Sequence, residues 1–257
     1  MSVLDDLKQV DPDGSDTAGV APVWPWTWKG LGGMVAAFAV LTAIFTAAGL
    51  AVVEWFEPSG LGQAEADLSK DLEAARTPTW NTVADLASIP SDTFVKIGLV
   101  AILAVALPGL MRRWHDWAFL ASALILEVSI YGLSSFLVGR ERPPVERLTS
   151  APTESFPSGH VAAAIVFYFG LAIIIGWHYR STALRVGAYV VAALITVGMF
   201  LSRLYLGMHY VSDMIASFFL GALVLWITYV LLERSLAEKR TEADEVWPAR
   251  AKQLDRT

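Results

Sequence analysis

The chain has 257 residues, of which 55% are hydrophobic and only 17% charged, whereas a soluble domain carries about 25% charged residues. Its net charge is −6, and this acidic balance gives no sign of nucleic-acid binding, so we expect no nucleic-acid partner. The absence of cysteine excludes disulfides and thiolate metal sites. The composition therefore predicts an all-α integral membrane protein with the bilayer as a partner.

Six apolar windows predict six transmembrane helices, because about 17–25 apolar residues cross the hydrocarbon core. Each window contains at most one charged residue. The windows are 31–53, 93–111, 117–138, 161–177, 186–201 and 214–232. We therefore expect a disordered and interfacial cytoplasmic N-terminus over residues 1–29, a six-helix membrane domain over 30–233, and a charged cytoplasmic tail over 234–257.

The basic residues predict the orientation. With six spans, both termini share one side with the loops at 112–116 and 178–185, and most of the 19 lysines and arginines lie there. Short loops rich in Lys and Arg stay in the cytoplasm. We therefore expect a multi-pass plasma-membrane protein with both termini inside.

Two segments near the first window are typical of the membrane surface. Trp24, Trp26 and Trp28 suggest an interfacial anchor. The first external loop contains an amphipathic stretch at 61–76, which predicts a short helix lying on the outer interface.

The segment 202–213 combines three residue types that suit phosphate chemistry. The guanidinium of Arg203 has planar donors that match phosphate oxygens. His209 and Asp213 are four residues apart, so on a helix they share one face. An aspartate behind a histidine fixes its tautomer and stabilises the positive charge that forms when the outer nitrogen attacks.

A second motif, Phe-Pro-Ser-Gly-His at 156–160, opens the fourth window. Ser158 is a favoured N-cap and Gly159 allows a ligand close to the backbone. The N–H groups of that turn would form an anion site, and His160 would donate a proton to a departing oxygen. The alternative is an ordinary capped helix start with an interfacial histidine.

A third motif, Arg-Glu-Arg-Pro at 140–143, follows the third window. Arginines at a helix end commonly snorkel to the headgroups, which is our interpretation of Arg140. Arg142 is different, because two spans separate this loop from segment 202–213 and both loops emerge on one face. His160 and His209 lie on that outer face. A phosphoryl-transfer site is therefore predicted there.

These motifs resemble the three-part signature of the type 2 phosphatidic acid phosphatase superfamily. That signature is Lys, six residues, Arg-Pro; then Pro-Ser-Gly-His; then Ser-Arg, five residues, His, three residues, Asp. The second and third parts match at 157–160 and 202–213, and the likeness covers roughly residues 90–232. In the first part Arg142 and Pro143 match, but Ser135 stands at the lysine position.

The resemblance implies a role for each matching residue. His209 would attack phosphorus and form a phosphohistidine, Asp213 would orient it, and His160 would protonate the leaving alkoxide and then activate water. The phosphate oxygens would be held by Arg142, Arg203, the Ser158 hydroxyl and the Gly159 N–H. The resemblance implies no metal or other cofactor, and no cluster in the sequence has metal-ligand spacing.

Ser135 removes one positive charge from the implied phosphate site. Whether Arg140 takes its place is open, because five helical steps put the two positions about 140° apart. Two further features stay ambiguous. Glu127 inside the third window is interpreted as a protonated or hydrogen-bonded interhelical contact. Ser217 and Gly221 form a small-residue pair that allows a possible homodimer.

We therefore expect an integral membrane phosphatase that hydrolyses a lipid phosphomonoester or pyrophosphate at the outer leaflet. An isoprenyl pyrophosphate such as undecaprenyl pyrophosphate is slightly favoured, and phosphatidic acid or phosphatidylglycerol phosphate is the alternative. A transporter or a catalytically weakened scaffold is a different class that Ser135 favours. A soluble vanadium-dependent haloperoxidase, which shares the phosphate site, is disfavoured by the spans.

Overall fold

A computed structural model describes residues 24–91, 98–99, 114–149 and 154–254 of the chain. Within these ranges the protein is helical and contains no strand. Its α-helices are α1 (Trp28–Ala51), α2 (Gly60–Ala74), α3 (Pro78–Ser88), α4 (Trp114–Val138), α5 (Gly159–Ala164), α6 (Gly170–His178), α7 (Thr182–Tyr205) and α8 (Val211–Leu254). One π-helical turn, Val52–Phe56, extends α1, and another, Ile165–Phe169, joins α5 to α6. The short 3-10 helix Ile89–Ser91 follows α3.

Five helical segments are long and apolar enough to cross a membrane. They are Trp28–Phe56, His115–Val138, Gly159–His178, Thr182–Tyr205 and Val211–Thr241. Each coincides with a predicted window, so the all-helical membrane fold is confirmed. The window at 93–111 lies outside the described residues, and the sixth span stays a prediction. Most of the N-terminal segment that the sequence predicts to be disordered also lies outside the described residues, and its disorder stays a prediction.

Side-chain caps determine where several helices begin. A hydroxyl oxygen accepts a hydrogen bond from a backbone N–H in the first turn of each of these helices, which satisfies one of the N–H groups left without a helical partner. The capping residues are Thr27 for α1, Ser59 for α2, Thr77 for α3 and Ser181 for α7. Pro78 follows Thr77 at the first position of α3, where its missing N–H costs nothing.

The continuous unit α5–α6 forms the centre of the bundle. Its side chains Val166 and Ile174 are fully buried, together with Phe119 of α4 and Leu220 of α8. By contrast, α7 exposes an apolar face that includes Leu194. Such an outer face suits contact with lipid chains.

The segment that follows α1, predicted to be the first external loop, holds two helices, where the sequence suggests one. The helix α2 occupies the predicted stretch, but its buried residues are Gly62, Glu65 and Ser69, whereas Leu61 and Leu68 are exposed. The face of α2 that packs onto the protein is therefore small and polar, and these two leucines point outward. The position of α2 at the outer interface stays a prediction. The second helix, α3, was not predicted.

Two side chains singled out in the sequence are buried inside the bundle. A Cβ added at Gly221 would lie 2.8 Å from Ile165, and Ser217 is fully buried. The small-residue pair therefore allows α8 to pack against α5 and its π-helical turn, and it gives no support to a homodimer, which stays untested. Glu127 is only 2% exposed, which places it among the helices rather than in lipid.

The tryptophan cluster is divided in the structure. Trp26 is buried, whereas Trp24 and Trp28 are exposed. Only the latter two are available as interfacial anchors.

Candidate active site

The predicted site residues lie at one end of the bundle, in the last turn of α7, on the loops after α4 and α7, and at the starts of α5 and α8. Gly139 and Gly207 have positive φ angles of 64° and 71°. This left-handed conformation favours glycine and is typical of helix C-termini. It lets the chain leave α4 and α7 and turn back over the helix ends.

His209 is buried, and its two ring nitrogens have different surroundings. Nδ1 lies 2.7 Å from the Ser155 carbonyl oxygen and 3.7 Å from Asp213 Oδ2. Because a carbonyl only accepts, Nδ1 carries the proton and donates it to Ser155. Nε2 is then the unprotonated nitrogen, and Arg142 Nη1 lies 3.4 Å from it. The structure thus leaves Nε2 as the ring nitrogen whose lone pair faces Arg142.

Asp213 lies behind His209 on the first turn of α8 and is completely buried. Its Oδ2 accepts hydrogen bonds from Ser155 Oγ at 2.5 Å and from the Tyr210 N–H at 2.9 Å. Its Oδ1 accepts one from Arg140 Nη1. The His209 imidazole is therefore not paired with Asp213 alone, because the Ser155 carbonyl is its closer acceptor.

The electrostatic surroundings keep His209 neutral. Burial lowers the pKa of His209 below its ordinary value of 6.5, and the positive charge of Arg142 lowers it further, although Asp213 acts in the opposite direction. A lowered pKa leaves the imidazole unprotonated at neutral pH. This is the form that can attack phosphorus.

Arg142 lies beside His209, and Arg203 lies near Arg142. Arg142 donates to the Met208 carbonyl at 2.5 Å and to the Glu154 carbonyl at 3.0 Å, which fixes its guanidinium. Arg203 is 5% exposed, and its Nε has no hydrogen-bond partner among the residues that the structure describes. The guanidinium of Arg203 is also close enough to Arg142 for their charges to repel. Buried donors without partners are costly, so this arrangement suits an anion.

The start of α5 supplies a further polar group. Ser158 stands at the N-cap, but its hydroxyl caps nothing and has no partner within the described part of the chain. Its own N–H donates to Ser217 Oγ at 2.6 Å, so this N–H is unavailable to the predicted anion site. His160, two residues on, is exposed at the same end.

Gly159 is required by packing. A Cβ at this position would lie 2.6 Å from the ring of Tyr131. The structure thus gives a reason for glycine besides the predicted approach of a ligand.

The comparisons with known proteins point to one family. The profile of the PAP2 superfamily matches residues 116–236, which include all three motifs. The chain resembles the PAP2 superfamily over this segment. The predicted resemblance to this superfamily of membrane phosphatases is confirmed.

Individual relatives agree with this assignment. The chain is 26% identical over 174 residues to phosphatidylglycerophosphatase B of Bacillus subtilis (strain 168), which covers 64% of this chain and 81% of the relative. The crystal structure of a transmembrane PAP2 type phosphatidylglycerolphosphate phosphatase from Bacillus subtilis has a TM-score of 0.64, with 24% identity. That match covers 78% of this chain and 96% of the other, and it shows the shared fold.

The position of Arg140 differs from our interpretation. It is 1% exposed, so it does not snorkel to the headgroups. Its guanidinium pairs with the carboxylates of Glu57, Glu65 and Asp213. Arg140 therefore does not replace the lysine of the PAP2 signature, because carboxylates already neutralise its charge. Ser135, at the lysine position, is buried.

Two functional candidates escaped the sequence analysis. Ser155 contacts both His209, through its carbonyl, and Asp213, through its hydroxyl. Glu65 of α2 accepts hydrogen bonds from the Ser212 N–H and hydroxyl next to Asp213. Neither belongs to the PAP2 signature, and neither position carries a signal in a single sequence.

Proposed function

We propose that this protein is a lipid phosphatase that removes the terminal phosphate of a glycerolipid, through a phosphohistidine on His209. The main support is the geometry around His209. Its unprotonated Nε2 faces Arg142, while Arg203 Nε and the Ser158 hydroxyl are buried without partners among the described residues. A phosphoryl group attacked by Nε2 would receive these donors on its oxygens.

The reaction would take place in two displacements. In the first, His209 Nε2 forms a bond to phosphorus as the phosphorus–oxygen bond to the lipid breaks, and His160 gives its proton to the departing alkoxide. In the second, His160 takes a proton from water, whose oxygen attacks phosphorus as the bond to Nε2 breaks. Inorganic phosphate leaves, and both histidines return to their initial states.

Phosphatidylglycerol phosphate is the proposed substrate. The likeness to phosphatidylglycerophosphatase B over 81% of that relative supports a glycerolipid phosphomonoester. This reverses the slight preference for undecaprenyl pyrophosphate, which nothing in the likeness favours. Phosphatidic acid carries the same type of phosphomonoester, and the two glycerolipids differ in the group that carries the phosphate.

A panel of lipids tests the proposal directly. Purified protein is given phosphatidylglycerol phosphate, phosphatidic acid and undecaprenyl pyrophosphate, and the released phosphate is measured with wild type and His209→Ala. We expect the largest kcat/KM for phosphatidylglycerol phosphate and no release by the variant. Equal release by both proteins would exclude His209 as the nucleophile. No release from any lipid by wild type would support the scaffold or transporter alternative.

The same assay tests the metal-free mechanism. We expect full activity in excess EDTA, because the implied chemistry places a histidine where other phosphatases use a metal-bound nucleophile. Activity that disappears in EDTA and returns with added Mg²⁺ or Zn²⁺ would contradict this.

We propose further that the site faces the outer side, based on the distribution of basic residues. The natural chain has no cysteine, so single cysteines can be placed at exposed Glu154 near the site and at exposed Arg180 at the other end. In intact cells, a membrane-impermeant maleimide should label the Glu154→Cys protein and spare Arg180→Cys. The reverse pattern would place the site in the cytoplasm.

A further inference from the structure

Arg140 is the best-buried cation of the described chain, and every donor it uses is directed at a polar side chain. Its Nε donates to Glu57 Oε1 at 2.7 Å, and its Nη2 donates to Glu65 Oε2 at 3.3 Å. Its Nη1 donates to Asp213 Oδ1 and, at 2.8 Å, to Ser212 Oγ. The guanidinium carbon also lies 4.3 Å from the centre of the Tyr210 ring. Its position is therefore fixed on all sides.

This arrangement acts directly on the aspartate behind His209. A completely buried carboxylate needs a positive partner to stay ionised. Arg140 supplies that charge through Oδ1, so that Oδ2 is left to accept from Ser155 and Tyr210. The same Oδ2 faces the His209 Nδ1 at 3.7 Å. The arginine thus sets both the charge and the direction of the carboxylate.

The external loop completes the arrangement. Glu65 of α2 binds Arg140 and also accepts from the N–H and hydroxyl of Ser212, next to Asp213. Burial opposes the charged form of Arg140, but Asp213 and Glu57 outweigh it, and the pKa of Arg140 is raised. The guanidinium therefore stays positive at every working pH.

We infer that Arg140 is a positioning residue for phosphoryl transfer, which acts through Asp213 to orient and stabilise the His209 nucleophile. The inference rests on the proposed function of His209. A different role would be a structural brace that only joins the external loop to the bundle. The two roles differ in how the loss of Arg140 combines with the loss of the Asp213 charge.

A double-mutant cycle separates these roles. Arg140→Gln, Asp213→Asn and the double variant are compared with wild type by kcat and KM for lipid phosphate. We expect Arg140→Gln to lower kcat by roughly 10²-fold, as misplacement of a catalytic group does. KM should change little, because Arg142 and Arg203 still bind phosphate. The double variant should be no slower than Asp213→Asn alone.

Arg76 offers a matched control. Its side chain is also largely buried, at 9% exposure, and it donates to the carbonyls of Tyr205, the last residue of α7, and of Glu146, on the loop after α4. No hydrogen bond or ion pair joins Arg76 to Asp213. Any loss of kcat in Arg76→Gln should therefore multiply with the loss in Asp213→Asn, as expected for independent sites.

The Arg140→Lys variant separates the contribution of the positive charge from that of the planar guanidinium. A lysine restores the charge beside Asp213 but not the planar fork, so it should recover part of the kcat lost in Arg140→Gln. It also replaces the Gln variant in the cycle if the latter does not fold, as judged by thermal melting. Losses that multiply for Arg140 and Asp213 would overturn the inference and leave the proposed function intact. A wild type without His209-dependent phosphate release would overturn both.

Discussion

The two ends of the helix bundle each bury an aspartate beside histidine. At the proposed active site, fully buried Asp213 accompanies His209. At the opposite end, fully buried Asp116 lies 2.8 Å from His178 Nε2 and 3.2 Å from His115 Nε2. A histidine and a carboxylate are therefore not enough to define a catalytic site.

The surroundings of the two pairs are different. At the Asp116 end, Nε2 of His178 is already bound to Asp116, and the neighbouring ring of Trp177 packs edge-on to Phe119 at 5.1 Å. At the Asp213 end, His209 binds a backbone carbonyl through Nδ1 and leaves Nε2 facing Arg142. Positive charge next to an unprotonated nitrogen therefore distinguishes the proposed phosphate site from the other histidine–aspartate pair.

The largest effect should come from replacing the histidines of the two pairs, one at a time, with alanine. His209→Ala removes the nucleophile and should lower kcat by about 10⁴-fold or more, the scale seen when a covalent nucleophile is deleted. His178→Ala should leave kcat close to wild type and lower the free energy of unfolding by about 1–3 kcal/mol, because Asp116 loses a partner. Phosphate release and thermal melting in detergent measure the two effects. Loss of activity in both variants would remove the distinction between the ends.

The next effect concerns the shape of the cation. Arg203→Lys keeps the charge but loses the planar fork, and we expect kcat/KM to fall by about 10²-fold, as when one transition-state donor is removed. Arg185→Lys is the control at the opposite end of the bundle, where Arg185 Nε donates to the Tyr179 carbonyl at 2.6 Å. It should retain wild-type kcat/KM. If Arg203→Lys is as active as wild type, Arg203 supplies charge alone.

The sequence predicts the helical membrane fold and the positions of the local motifs for physical reasons. Apolar windows identify helices because the bilayer accepts no unsatisfied backbone, and five of them coincide with helices long and apolar enough to span a membrane. His209, Asp213, Arg142 and Ser158 belong to local motifs whose spacing is itself the signal. The structure accordingly places Arg142 and Asp213 around His209.

The contacts between distant segments could not be predicted. Arg140 resembles a snorkelling residue until α2 is folded against it, because its partners Glu57 and Glu65 precede it by 83 and 75 residues. Ser155 serves the site partly through a backbone carbonyl, a group that every residue possesses. The polar face of α2 looks like the water-facing side of an interfacial helix, although it packs onto the protein.

A smaller effect is expected at Gly159, where packing rather than chemistry requires the glycine of the proposed site. Gly159→Ala places a methyl group 2.6 Å from the Tyr131 ring, which should lower the free energy of unfolding by about 1–3 kcal/mol. Gly132→Ala is the matched control, since its Cβ has no neighbour within 4 Å and alanine is the better helix former. Thermal melting should show a lower midpoint for the first variant and an equal or higher one for the second. Equal melting of both would show that the Tyr131 ring moves aside.

The smallest effect should be a shift in the pKa of His209. It tests whether the adjacent charge of Arg142 influences this histidine. Burial and the Arg142 charge lower the pKa of His209, so half-protonation should be reached only below pH 6.5, and activity should fall as the pH drops through that lowered value. Arg142→Gln removes a repelling charge and should raise the pKa of His209. Nitrogen-15 NMR of the histidine rings, assigned with His209→Gln, measures this without interference from the ionisation of the substrate phosphate. A pKa at or above 6.5 in wild type, unchanged in Arg142→Gln, would mean that the arginine does not tune the nucleophile.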